Sequence, residues 1–138
     1  MMVVIGAGWG GLDSSVSGDG VLAVEDVDYL RLFPRVAAVV HHGGAGTAGT
    51  AFASERPQVV CPFIADQPFW ASLAQQRSVA PVPEPQRHLA AGLASAITTA
   101  TATTTDSDMS RAAQELGHRV SAEDGISAAV TVVERVAA

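Results

Sequence analysis

The stretch from Ala37 to Phe63, "AAVVHHGGAGTAGTAFASERPQVVCPF", constrains the fold more than any other part of the chain. Two short apolar runs, "AAVV" (37–40) and "QVVCPF" (58–63), flank an alanine-rich segment, Thr47 to Glu55, that is closed by Arg56 and Pro57. Valine runs of this length suit strands buried on both faces, and the alanine-rich segment suits a short helix that stops before its proline. Strand, glycine turn, helix and strand make a βαβ unit, which brings its two strands together in parallel. "VLAV" (21–24) reads as another buried strand, and "VAPV" (79–82) as a further one, placed at a sheet edge by Pro81 and Pro83. The predicted class is α/β: a Rossmann-like parallel sheet with helices on both faces, in a single domain spanning 1–138.

The helices follow from apolar spacing. Asp66 is placed as an N-cap with Pro68 in the first turn, and Phe69, Trp70, Leu73 and Ala74 recur at helical intervals as far as Gln76. Beyond Pro85 three stripes follow: Leu89, Leu93 and Ile97; Met109, Ala112, Ala113 and Leu116; and Ile126, Ala129, Val130, Val133 and Ala137. All three are expected to pack on the sheet. The low-complexity stretch between them, Thr98 to Asp108, is rich in β-branched threonine and reads as a frayed helix end and loop.

Composition removes several classes of function. With 48% hydrophobic and only 16% charged residues the chain can fill a core, so disorder is excluded for most of it. Fourteen acidic against eight basic side chains give a net charge of −6, which offers nothing to a nucleic-acid backbone or an anionic membrane. Any phosphate must therefore be held locally. The apolar runs fall far short of the ~20 residues of a membrane span. "MMVVIGAGWGG" lacks the basic and long apolar regions of a secretory leader. The one cysteine, Cys61, excludes an internal disulfide and a cysteine-cluster metal site; it reads as a small buried hydrophobe, and a cytoplasmic location is expected.

Two glycine runs compete for a nucleotide. Gly6 to Gly11 follows an apolar run and fits G-x-G-x-x-G, and Glu25 and Asp26 stand at about the ~20-residue distance where dinucleotide folds place a ribose-binding acid. That fingerprint works through a helix N-terminus, whereas "DSSVSGDG" (13–20) is a run of turn formers. The first run is therefore read as a turn after a strand, and a nicotinamide or flavin enzyme is disfavoured. The second run, Gly44 to Gly49, also fits the pattern and does open a helix. Amides near Gly46 and Thr47, together with the Thr47 hydroxyl, are placed to meet an anion. The absence of a lysine before Thr47 argues against a P-loop NTPase. His41 and His42 stand at the end of the strand, where open α/β sheets bind ligands, and strand alternation lets only one of them face the cleft. Asp66 and Gln67 stand at the same edge of the sheet. An acid beside an amide suits sugar hydroxyls; equally, the pair can be an N-cap and an ordinary first-turn residue.

Taken together, "LFPRVAAVVHHGGAGTAGTAF", "ERPQVVCPFIADQPFWA" and "GWGGL" resemble the C-terminal, donor-binding domain of nucleotide-sugar glycosyltransferases of the GT-B fold. Within these the likeness is greatest to the bacterial branch of antibiotic, macrolide and glycopeptide glycosyltransferases and to the sterol glucosyltransferases. The resemblance implies an inverting transfer of sugar from a UDP- or TDP-sugar to an acceptor hydroxyl, with the donor as substrate, no further cofactor and no metal at the diphosphate. By the same resemblance His42, Gly43, Gly44, Ala45, Gly46 and Thr47 contact the diphosphate, Asp66 and Gln67 the donor sugar, and Trp9 and the segment at Val27 border the nucleobase pocket. The chain departs from the family at Asp28-Tyr29, where many relatives have Pro-His, and at Thr50, where plant-type members carry a ribose-binding glutamate.

Enzymes of this fold need a second, N-terminal domain that supplies the acceptor pocket and the catalytic base. The chain is expected to lack that domain and the first βα unit of the donor domain, so no catalytic residue is assigned and the isolated chain is expected to be inactive alone. A different class of function competes: a non-catalytic interaction domain that keeps the fold and pairs with an N-terminal half or with itself.

Overall fold

The computed structural model describes residues 2–6, 18–83, 89–102 and 108–137, which fall into two compact units, Met1–Leu32 and Phe33–Ala138. In the first, β1 (Val3–Gly6) and β2 (Val21–Val24) pair in parallel, with Val3 opposite Val21 and Gly6 opposite Val24. A short helix, α1 (Tyr29–Leu32), begins behind Asp28, whose carboxylate accepts the Leu30 N–H at 2.9 Å. "VLAV" is thus a strand, but Leu22 and, on β1, Val3 are exposed, so the run is not sealed on both faces as expected.

The second unit is built on the βαβ core. β3 (Val39–His41) and β4 (Gln58–Val60) are parallel, with Val39 opposite Gln58 and His41 opposite Val60. Between them lies α2 (Ala45–Ala53), whose Ala48, Ala51 and Phe52, spaced three and four apart, form its buried face. It stops where Ser54 folds its hydroxyl back onto the Ala51 carbonyl at 2.7 Å, and Arg56 anchors the following turn through two bonds to the Pro34 carbonyl.

Alternation along β4 sends its side chains into two cores. Val60 points into a cluster with Ala48 and Phe52 of α2, Ala71 and Ala74 of α3 (Gln67–Gln76) and Ala113 of α5 (Asp108–Ser121). Val59 and Cys61 join Ala96 and Ala100 of α4 (Leu89–Thr101) on the other side. Helices therefore cover both faces of the pair, as expected of this class.

Four expectations are corrected. Residues 79–82 form no strand: Val79 gives one ladder bond, its carbonyl accepting the Gln58 N–H at 2.8 Å, and Pro81 and Pro83 have no N–H with which to continue. α4 runs on through Thr98 to Thr101, where burial of Ala96 and Ala100 outweighs the low propensity of the threonines, whose hydroxyls at 98 and 101 are satisfied by the carbonyls four residues back. α5 packs chiefly on α2 and reaches the core beside Val60 of β4 through Ala113. The last stripe, on α6 (Gly125–Ala137), is open to solvent, with Ile126 81% and Val133 66% exposed. That helix is capped locally: Asp124 accepts the Ser127 N–H at 3.0 Å and its hydroxyl at 2.6 Å, which holds the Asp124 carboxyl below its ordinary pKa.

Candidate functional site

β3 and β4 run in parallel, so the loops that leave their C-terminal ends lie on one edge of the sheet. The first loop holds His42, Gly43 and Gly44 and opens α2; the second runs from Cys61 to Asp66 and opens α3. They touch. Gly43 has φ +90°, and a Cβ built on it would stand 2.9 Å from Val60 Cγ1 and 3.2 Å from the Gln67 carbonyl oxygen. Only glycine fits there, on both backbone and steric grounds. The structure thus brings the two predicted motifs, 42–47 and 66–67, against each other.

Alternation separates the two histidines. His41 is buried and His42 exposed, so the one that meets solvent is the one assigned to the ligand. The imidazole of His42 stands over Gly44, with Nε2 2.5 Å from where a Gly44 Cβ would be. His41 faces inward: its Nδ1 accepts the Gly43 N–H at 3.1 Å and its Nε2 lies 3.0 Å from Gln58 Oε1. The Gly43 amide therefore points into the protein, and Gly43 acts on the loop through its shape.

The two helix N-termini differ in what they offer. In α2 the first helical bond is Ala48 N–H to the Gly44 carbonyl at 2.8 Å, so the amides of Ala45, Gly46 and Thr47 have no acceptor within the helix. No side chain caps that end, Ala45 and Gly46 are exposed, and the space around Gly46 is open. Aligned peptide dipoles add partial positive charge, which makes this end suited to an anion. In α3 the corresponding donors are consumed: the Gln67 N–H bonds the Ile64 carbonyl, Pro68 has none, and the Phe69 N–H returns to the Asp66 carbonyl. What α3 presents is side chains.

Those side chains are fixed. Asp66 stands at the N-cap position, but its carboxylate caps nothing; Oδ2 instead accepts the Trp70 indole N–H at 2.8 Å. The reading of Asp66 as a side-chain N-cap is corrected accordingly, since its backbone is in the helical region and aims the carboxylate along the helix. Gln67 Oε1 accepts the N–H groups of Phe63 at 2.7 Å and Ile64 at 3.1 Å, which leaves its NH₂ as the donating end. Those two bonds hold the loop across Ala65, whose φ of 58° is costly for a residue with a side chain. Trp70 is half-buried against Phe52, with ring centroids 6.4 Å apart, so the clamp on Asp66 is itself anchored in the core.

Val27 is half-buried in the first unit, just beyond β2, and Trp9 lies outside the described residues. Among the described residues no group of three or more acidic, histidine or cysteine side chains is arranged to hold a metal. No described helix is long and apolar enough to cross a membrane. Sequence reasoning missed His41, Gln58 and Trp70 as supports of the site. The available signal was Gln58, a polar residue inside an apolar strand run, for which burial demands a partner.

Residues 3–133 match the model of the erythromycin biosynthesis protein CIII-like, C-terminal domain. The chain belongs to this family. It is 40% identical over 126 residues to an O-mycaminosyltylonolide 6-deoxyallosyltransferase of Streptomyces fradiae, covering 91% of this chain and 29% of that protein. It is 35% identical over 135 residues to a sterol 3-beta-glucosyltransferase of Arabidopsis thaliana, covering 96% of this chain and 21% of the relative. In fold it is similar to the kitacinnamycin glycosyltransferase, with a TM-score of 0.79, 22% identity and coverage of 97% of this chain and 34% of that one. A glycosyltransferase, VinC, solved in complex with dTDP, aligns with a TM-score of 0.63 at 28% identity, over 86% of this chain and 30% of its own. This EryCIII-like domain therefore has the fold of GT-B glycosyltransferases and spans less than a third of the antibiotic relative's length.

Proposed function

We propose that the second unit holds the diphosphate and sugar of a UDP- or TDP-sugar donor for transfer to an acceptor hydroxyl. The observation that carries the reading is the contact between the two loops: Gly43, just ahead of an uncapped helix N-terminus overhung by His42, packs against Gln67 of a fixed acid–amide pair. The free amides of α2 suit phosphate oxygens, while the Asp66 carboxylate and Gln67 amide suit the hydroxyls of a sugar attached to that phosphate. Membership of a glycosyltransferase family supports donor binding in general terms, and a relative solved with dTDP supports a nucleoside diphosphate.

In such a transfer the acceptor oxygen attacks the anomeric carbon, the bond from that carbon to the diphosphate breaks, and a base takes the acceptor proton. The chain's part is on the leaving-group side. Dipoles and amides at the α2 N-terminus, with His42, stabilise the negative charge gathering on the diphosphate. The base and the acceptor are assigned to no residue of this chain.

Titration calorimetry of the chain with UDP and dTDP tests this. One-to-one binding is expected, with His42→Ala weakening it about tenfold, the scale of one charge-assisted hydrogen bond. Absence of binding up to millimolar nucleotide removes the reading. The exposed apolar face of α6 favours a second role alongside it, pairing with an N-terminal glycosyltransferase domain or with another copy.

A further inference from the structure

The Gly43 amide can only donate, so the His41 Nδ1 that receives it at 3.1 Å carries no proton. The ring proton therefore sits on Nε2 and is donated to Gln58 Oε1, 3.0 Å away. Gln58 is one of the largest fully buried side chains, and a ring that donates from Nε2 needs the amide oxygen and not the NH₂ in front of it. Both ends of the imidazole are committed, and Gly43, held by one end, is at φ +90° between Val60 and Gln67.

We propose that His41 is a positioning residue of the donor site: as the neutral Nε2–H tautomer it pins Gly43, which sets His42 and the amides of Gly44 to Thr47, and a proton on Nδ1 releases that turn. The proposal rests on the reading that this loop holds a diphosphate. A protonated Nδ1 would turn a donor toward the Gly43 donor, and one of the two must move. The surroundings oppose the charge. Burial pushes the His41 pKa below its ordinary 6.5 and the neighbouring His42 pushes it the same way, while the bond to Gln58 acts in the opposite sense. β4 offers the ring the uncharged Gln58, the turn offers His42, and among the described residues no carboxylate pairs with it.

The sign of the linkage follows. With a folded-state pKa below the unfolded one, the unfolded chain binds more protons between the two values. The stability that neutral His41 contributes is therefore complete above about pH 6.5 and declines as the pH falls toward the lowered value.

The test uses UDP-glucose, whose phosphates are both esterified and do not titrate between pH 5 and 8. Its affinity is measured across that range for the chain and for His41→Asn, whose Oδ1 can accept the Gly43 N–H and cannot titrate. The wild type is expected to lose affinity on acidification, and the variant to escape that loss. His42 is unchanged in both, so the difference between the two profiles reports on position 41. A flat wild-type profile, or a variant that follows the wild type, overturns the proposal. Nitrogen-15 shifts of the ligand-free wild type provide a readout that needs neither the variant nor the ligand. An unprotonated Nδ1 at pH 7.5, with a Gly43 amide shift that titrates with the ring, supports the proposal, and a protonated Nδ1 overturns it. Failure of the wild type to bind UDP-glucose at pH 7.5 instead overturns the donor reading, and those shifts still decide the role of His41.

Discussion

Asp66 and Trp70 illustrate how a candidate site residue depends on a neighbour that holds its side chain in place. The carboxylate is exposed, and an exposed aspartate samples several rotamers unless something fixes it. The Trp70 indole N–H fixes one oxygen at 2.8 Å, and the ring is held in turn by packing against Phe52. Trp70→Phe keeps most of that packing and removes only the N–H. It is expected to cost at most about 1 kcal/mol in urea unfolding, the worth of one partly exposed hydrogen bond, and to weaken binding of a nucleotide sugar more than that of the bare nucleotide. Equal weakening of both ligands would place Asp66 outside the sugar subsite. At this scale the sequence was informative about residue types and silent about partners. The pair Asp66-Gln67 was visible as a candidate, but its alternative reading as a cap could be decided only by where the carboxylate points. Strand alternation showed that only one of His41 and His42 could face the cleft; the resemblance pointed to His42, and the phase of β3 exposes it.

Elements read from period and punctuation were legible in proportion to how local their causes are. α2 and α3 are bounded by Gly44, Pro57, Asp66 and Pro68, all within a turn of the helix ends, and both were visible in the sequence. The strand expected at 79–82 failed for a local reason that was also visible, two prolines in four residues, but was taken for an edge and not for a stop. α6 failed for a different reason: an amphipathic stripe states that a face is to be covered without stating by what. Its side chains carry no core load in the second unit, and Val133, 66% exposed, measures this. Val133→Ser is expected to change the unfolding free energy of the chain by no more than about 0.5 kcal/mol, as for other surface substitutions. A loss of more than about 1.5 kcal/mol, on the scale of burying a valine side chain, would show that the helix is packed in solution.

Across the whole molecule, a net charge of −6 repels an anionic ligand at long range, so affinity for a diphosphate has to come from contacts within one small site. The βαβ core runs two strands in parallel, places two helix N-termini side by side and makes them chemically unlike: one with its first amides unbonded within the helix, the other with its amides consumed and its side chains fixed. On the proposed reading, that asymmetry provides a phosphate end and a sugar end for one donor. The most direct test is a nitrogen–proton correlation spectrum of the chain titrated with UDP-glucose at pH 7.5. The account predicts that the largest shifts fall on the backbone amides of Gly44, Ala45, Gly46 and Thr47, with the Gln67 side-chain NH₂ moving at the same concentration. Saturable shifts confined to other residues, or none up to millimolar ligand, would contradict it.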